Sequence, residues 1–202
     1  MALPDGFVVV TPRERARPLA PDDRRDAILL AVIPLLKEHG QNVSSKQLAE
    51  AAGVAEGTIF RAFGDKETLI RAAIEKMFDP LPFRTALRSI DVDLPLEEKL
   101  AEVLTKLRER FTGVFAIMAA LDIRERPPVT PGGAAEWIEI LKDLLAPDAD
   151  LLRMPVETVA HYLRLLAFSS SLPLFNLPYE FGVDELANIV TYGVVTPAKG
   201  KD

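Results

Sequence analysis

The fold predicted for these 202 residues is all-α, with about nine helices in two parts. Apolar residues recur at offsets of three and four along most of the chain, as at Leu100, Val103, Leu104, Leu107 and Phe111, which places them on one helix face. Prolines and glycines cluster between such stretches. No segment shows the period-two pattern of a half-buried strand, an internal repeat or a low-complexity bias. Hydrophobic residues make up 49% of the chain, enough to bury a real core.

In chain order, the first long helix is expected from Asp22 to His39, with Ile28, Ala31, Val32, Leu35 and Leu36 as its apolar stripe and Gly40 as its stop. Pro34 lies inside it, and the lost backbone bond predicts a kink near Leu30 to Pro34. The stretch Ser44 to Phe63, SSKQLAEAAGVAEGTIFRAF, then reads as helix, tight turn, helix. Ser44 suits an N-cap and Gly53 a sharp bend. Leu48, Val54, Ile59 and Phe63 supply the apolar contacts between the two helices, while Ala49 and Ala52 keep their crossing close. The other side of the second helix carries Gly57 and Arg61, flanked by Thr58 and Phe60. Donors and a close-approach glycine facing outward suit a DNA major groove.

The run from Arg24 to Ala73 resembles the DNA-binding domain of the TetR (tetracycline-repressor-like) family of bacterial transcription regulators. The matching text is EHG at Glu38 to Gly40, LAEAAGV at Leu48 to Val54, GTIF at Gly57 to Phe60, Phe63, and DKETL at Asp65 to Leu69. The resemblance implies a three-helix head over residues 21–78 and a helical ligand-binding and dimerisation domain over residues 79–202. It also implies DNA contacts from Arg24, Ser44, Ser45, Lys46, Gly57, Thr58, Phe60, Arg61 and Lys66. Asp65 is read as the cap of the next helix, and the family's equivalent of Lys66 contacts a phosphate beside that helix N-terminus.

Three positions depart from the family pattern. Phe60 replaces the usual tyrosine, Ala62 a frequent histidine, and Ala55 the serine or threonine that commonly caps the recognition helix. Each removes a phosphate contact or a cap, which concentrates base reading on Arg61, whose planar fork fits guanine O6 and N7. Arg61 as a solvated or internally paired side chain is the competing interpretation. Arg24 and Arg25 either touch phosphate or pair with Asp22 and Asp26 at the surface. Residues 1–20, with Arg13, Arg15 and Arg17 among prolines, are expected to form a flexible arm that is either solvated or laid along DNA.

Beyond Phe78 the sequence DPLP marks a boundary. Helices are expected over Phe83 to Ile90, Leu96 to about Leu121, about Ala134 to Leu145, about Val156 to Leu172, and Val183 to Val195. ERPPVTPGG reads as a loop. The last two helices carry Leu163, Leu166, Ala167, Ile189, Val190, Tyr192 and Val194, more apolar surface than one core needs, so their exposed faces are expected to pair with a second copy. The TetR resemblance implies the same homodimer. It also brings Phe111, Phe115, Met118, Trp137, Leu141, His161, Tyr162, Leu165 and Phe168 around one cavity for a small hydrophobic or aromatic effector, with Tyr162 or His161 as polar anchor. Ordinary core packing is the alternative for every member of that set.

Charge and composition exclude other classes. The formal net charge is −6, with 11 Lys+Arg against 12 Asp+Glu in residues 1–79 and 13 against 18 in residues 80–202. Phosphate attraction must therefore come from local clusters rather than a global field. With no cysteine there is no disulfide, thiolate metal site or thiol catalysis, and His39 and His161 stand apart. No glycine-rich phosphate loop or metal-ligand cluster is present, so no cofactor and no enzymatic activity are expected. No apolar run approaches the roughly 20 residues that span a bilayer, and the first residues lack a signal-peptide start, so the expected location is cytoplasmic. The expected function is a ligand-responsive DNA-binding regulator, a repressor on an inverted repeat. The alternative is a helical ligand- or protein-binding module with a weakened DNA head.

Overall fold

The computed structural model describes residues 20–124, 133–172 and 179–194. The arginine-bearing arm, the ERPPVTP loop and the first part of the last connection lie outside these residues. Within them the chain forms nine α-helices and no β-strand: α1 Pro21–His39, α2 Ser45–Ala51, α3 Glu56–Phe63, α4 Lys66–Phe78, α5 Leu81–Arg88, α6 Leu96–Ala120, α7 Gly133–Leu145, α8 Val156–Ser171 and α9 Val183–Val194. Short 3-10 turns at Gly40–Asn42 and Ala146–Leu151 were not anticipated from the sequence.

The helices start and stop where local chemistry dictates. Ser44 caps α2 in a reciprocal box, its hydroxyl accepting from the Gln47 amide while the Gln47 side chain accepts from the Ser44 amide. Gly53 takes φ +64° in the turn and Gly64 takes φ +85° at the end of α3. Asp65 caps α4 by accepting from the Thr68 amide at 2.6 Å. That bond is the main reason its carboxyl is held below the ordinary carboxylate range. Helix α1 runs unbroken through Pro34.

Two hydrophobic cores result. The first gathers Ile28, Val32, Leu36, Leu48, Ile59, Phe63, Leu69 and Ala73 from α1 to α4, and it also takes in Ile117 and Leu121 from the end of α6. The second packs α5 to α9 around Leu100, Leu104, Leu141, Leu163 and Val190. Helix α6 is therefore shared, with its first half in one core and its last turn in the other. Lys99, 1% exposed, pins the start of α6 to the turn after α7 through a 2.6 Å ion pair with Asp148. Breaking one partner of such a buried pair costs several kcal/mol, about 3–5, because a charge is left stranded.

One expectation about the last helices is corrected. Leu163, Ala167 and Val190 are fully buried in the protomer's own core and Leu166 is half-buried against it, so they are not the outward face. The outward apolar residues are Leu165 and Phe168 on α8 and Ile189 and Tyr192 on α9. At about 100° per residue α8 carries two apolar stripes, and the sequence alone does not say which one its own core claims. The side chain of Val194 lies outside the described set.

Candidate nucleic-acid interface

The recognition surface is built on α3. Ile59 and Phe63, four residues apart, are buried against α1, α2 and α4, which turns Gly57 and Arg61 outward; Thr58 is partly covered, and Phe60 is 44% exposed. Gly57 meets no heavy atom within 4 Å of where a β-carbon would stand. Its glycine is thus not required by internal packing. Ala55 sits at the N-cap of α3 with no side-chain bond, as its side chain dictates, and Thr58 N–H instead reaches the Ala55 carbonyl at 2.8 Å.

Basic groups around this helix divide into braces and exposed donors. Arg25 donates to the Ala62 carbonyl at the end of α3 and places its guanidinium 4.6 Å from the centre of the Phe63 ring. It is a brace that the sequence did not reveal, because its partner is a backbone oxygen 37 residues away. Asp26, proposed as a surface partner for these arginines, instead pairs with Lys76 of α4 at 2.7 Å. Arg24 and Arg61 are exposed; Lys46 is exposed and lies 3.9 Å from Glu50. Ser44 is exposed and Ser45 partly so, at the N-terminus of α2.

Lys66 occupies an intermediate position. Its ammonium donates to the carbonyls of Gln41 and Val43, each at 3.0 Å, fastening the start of α4 to the turn that leads into α2. An ammonium has three donors, so one remains for a phosphate oxygen. The first turn of α4 also carries backbone N–H groups that have no partner within the helix.

The same turn meets the far domain. Gly40, at φ +58°, lies under the Ala120 carbonyl, and Gln41 Nε2 donates to the Leu121 carbonyl at 3.2 Å. At the other end of α4, Arg110 of α6 donates to the carbonyls of Phe78 and Asp79 at 3.1 and 3.0 Å. Helix α6 thus grips the head at two points about one α4 length apart. Neither contact was visible in the sequence, since each joins a side chain to a backbone oxygen distant along the chain.

The expected effector residues are distributed over several places. Phe111 and Phe115 of α6 and Phe168 of α8 form an aromatic cluster with centroids 5.3 to 6.1 Å apart. Met118 is half-buried one turn further along α6, and Tyr162 is half-buried with its hydroxyl 3.7 Å from the β-position of Gly193. Trp137 and Leu141 lie in the core of α7, and Trp137 stacks on Phe83 at 6.1 Å. His161 and Leu165 face outward on α8, Leu165 being 63% exposed. A groove of about 270 Å³ runs elsewhere, between Leu87, Ile90 and Val92 on one side and Ile140 and Leu144 on the other, with Arg88 and Asp143 also lining it.

A helix-turn-helix head with an outward-facing second helix, carried on a helical body that shares one long helix with it, is the architecture of the TetR fold. Residues 28–73 match the family described as bacterial regulatory proteins, tetR family, and the head is a domain of that family. Comparison with curated proteins found no match. Among solved structures, the chain is similar to a TetR transcriptional regulator from Streptomyces coelicolor at 23% identity, over 86% of this chain and 99% of that one, with a TM-score of 0.59. A structure described as the molecular basis for control of antibiotic production by bacterial hormones gives 23% identity, 86% and 98% coverage and a TM-score of 0.60. A transcriptional regulator from Rhodococcus sp. Rha1 gives 19%, 84% and 97%, and 0.53. These likenesses concern the fold. No described helix is long and apolar enough to cross a membrane.

Proposed function

We propose that this protein is a cytoplasmic repressor that binds an inverted-repeat operator as a homodimer and leaves it when a small hydrophobic or aromatic molecule enters the helical second domain. The observation that carries the DNA reading is the division of α3 into a buried face, Ile59 and Phe63, and an exposed face, Gly57 and Arg61. In this reading Arg61 reads bases. Lys66, Ser44, Ser45, Lys46 and Arg24 hold phosphates, while Thr58 and Phe60 flank the contact. The outward Leu165, Phe168, Ile189 and Tyr192 support a two-fold seam between copies of α8 and α9. Two heads so joined would meet half-sites about 34–36 Å apart.

Release works by differential affinity. A ligand that prefers one arrangement of the second domain moves the population away from the head spacing the operator needs, and only by that difference in binding. The two grips of α6, on Gly40–Gln41 and on the end of α4, offer a route by which its displacement reaches the heads.

The test is selection from a random duplex library with purified protein at about 100 mM salt, where sequence preference still stands above electrostatic attraction. Enrichment of an inverted repeat is the expected result. If no motif emerges and binding stays weak as salt is lowered, the DNA reading fails and the chain is a ligand- or protein-binding helical module.

A further inference from the structure

Arg25 stands where α1 meets the end of the recognition helix. Its Nη1 donates to the Ala62 carbonyl, and its guanidinium lies over the Phe63 ring, 4.6 Å from the centroid. The last carbonyls of α3 have no partner within the helix and form the negative end of its dipole, so a cation is favoured there. Phe63 is itself buried in the core of the head, which makes its ring a fixed platform. The fork of Arg25 is therefore held on one edge and one face.

Most of its hydrogen-bonding capacity is unused. A guanidinium has five N–H donors, and the Ala62 carbonyl takes one. Arg25 is nonetheless exposed. Among the described residues no carboxylate pairs with it, and Asp26, its neighbour on α1, goes to Lys76 at 2.7 Å. An uncompensated charge, oriented donors and access to solvent thus coincide at one point, beside Arg61, which immediately precedes Ala62 in α3. With α3 laid in a groove about 12 Å wide, its outward face carries Arg61 to the bases and its end comes to the bordering phosphate strand.

We propose, resting on the DNA reading above, that Arg25 is a phosphate clamp delivered from α1 onto the end of the recognition helix, and that it fixes the angle at which Arg61 meets the bases. The free edge of the planar fork suits a pair of phosphate oxygens. Because the fork is already ordered by Ala62 and Phe63, little freedom is lost when phosphate arrives. One guanidinium then joins the DNA backbone to the backbone of α3, so the rotation of α3 in the groove is set where Arg61 needs it. Lys66 differs, since it ties the start of α4 to the turn before α2 and does not touch α3. Arg25 also adds local positive charge to a head whose residues 1–79 hold 11 Lys+Arg against 12 Asp+Glu.

The probes are the duplex enriched by the library selection and a duplex of about 30 base pairs of arbitrary sequence, each bound to the full-length protein across a salt series. Arg25→Gln keeps a donor for the Ala62 carbonyl and loses the charge, whereas Arg25→Lys keeps the charge and loses the fork. Arg25→Gln should unfold cooperatively, bind both duplexes at least about tenfold more weakly and lower the salt slope by about one. Arg25→Lys should retain the slope and lose part of the preference at the base pair that Arg61 reads. Neutral methylphosphonates placed one at a time along the enriched duplex add a readout that a merely structural role would not move. One position should weaken the wild-type protein about tenfold and leave Arg25→Gln no weaker than it already is.

An unchanged slope in Arg25→Gln, the same methylphosphonate pattern in both proteins, or full base preference in Arg25→Lys each overturns the clamp. Should Arg25→Gln fail to fold, the preference of Arg25→Lys decides. An enriched inverted repeat together with any of those results would keep the DNA reading and remove Arg25 from it; absence of any enriched duplex would remove both.

Discussion

The carbonyl oxygen of Ala120, at the end of α6, lies so close over Gly40 that a β-carbon there would overlap it. Gly40 also has φ 58° and ψ −140°, a conformation left almost entirely to glycine. Gly40→Ala should therefore lose about 2–4 kcal/mol from backbone strain and overpacking combined. Urea denaturation measures it; an unchanged midpoint would mean the contact is slack. If the variant stays folded, operator binding should respond less to effector, because the grip of α6 on the head is loosened.

Gly57 and Arg61 separate DNA contact from folding. Gly57→Ala has open space around it and exchanges glycine for the best helix former, so stability should rise by up to about 1 kcal/mol while operator affinity falls. Arg61→Ala should leave the melting temperature unchanged. It should relax preference at one base pair by about 1–3 kcal/mol in a binding-site scan. Unaltered specificity would remove Arg61 from the interface.

Lys66→Met should have two effects of different origin. Losing both carbonyl bonds to the Gln41–Val43 turn should lower stability by about 1–3 kcal/mol. Losing the phosphate contact should weaken binding to every duplex and reduce the salt slope by about one. A stability loss with no change in salt slope would make Lys66 a brace alone.

Asp65 gives the acid limb a defined direction. Its carboxyl is held low chiefly by the Thr68 amide, so the stabilisation it provides is complete above the unfolded carboxylate range and is lost as pH falls through the lower folded value. Asp65→Asn should flatten that part of the stability curve. Thermal melts between pH 2 and about 6 test it, and identical curves for the two proteins would refute it.

Leu165→Asp places a charge on a residue that is 63% exposed in the protomer. Protomer helicity should stay intact, as surface changes usually fall within about ±0.5 kcal/mol. Sedimentation should show dissociation, since an unpaired carboxylate buried in a dimer seam is strongly disfavoured. A dimer that persists would move the seam away from this face of α8.

Local chemistry made much of the fold legible in the chain. Ser44 and Asp65 announce helix starts, Gly53 and Gly64 the breaks, and Ile59 with Phe63 the inward face of α3, because each depends on neighbours within a few residues. The outward position of Gly57 and Arg61 follows from the same periodicity.

What the sequence by itself determined was the set of helices, their caps and the identity of the head. Tertiary structure alone decided which of two apolar stripes on α8 is buried, that α6 ends inside the core of the head, and that Arg25 and Arg110 brace distant carbonyls. It also paired α5 with α7, stacking Phe83 on Trp137. The physical reason is range. Helical periodicity and capping are settled between residues a turn apart, whereas a helix with two apolar faces chooses its partner, and a side chain its distant carbonyl, only when all the helices compete for the same space.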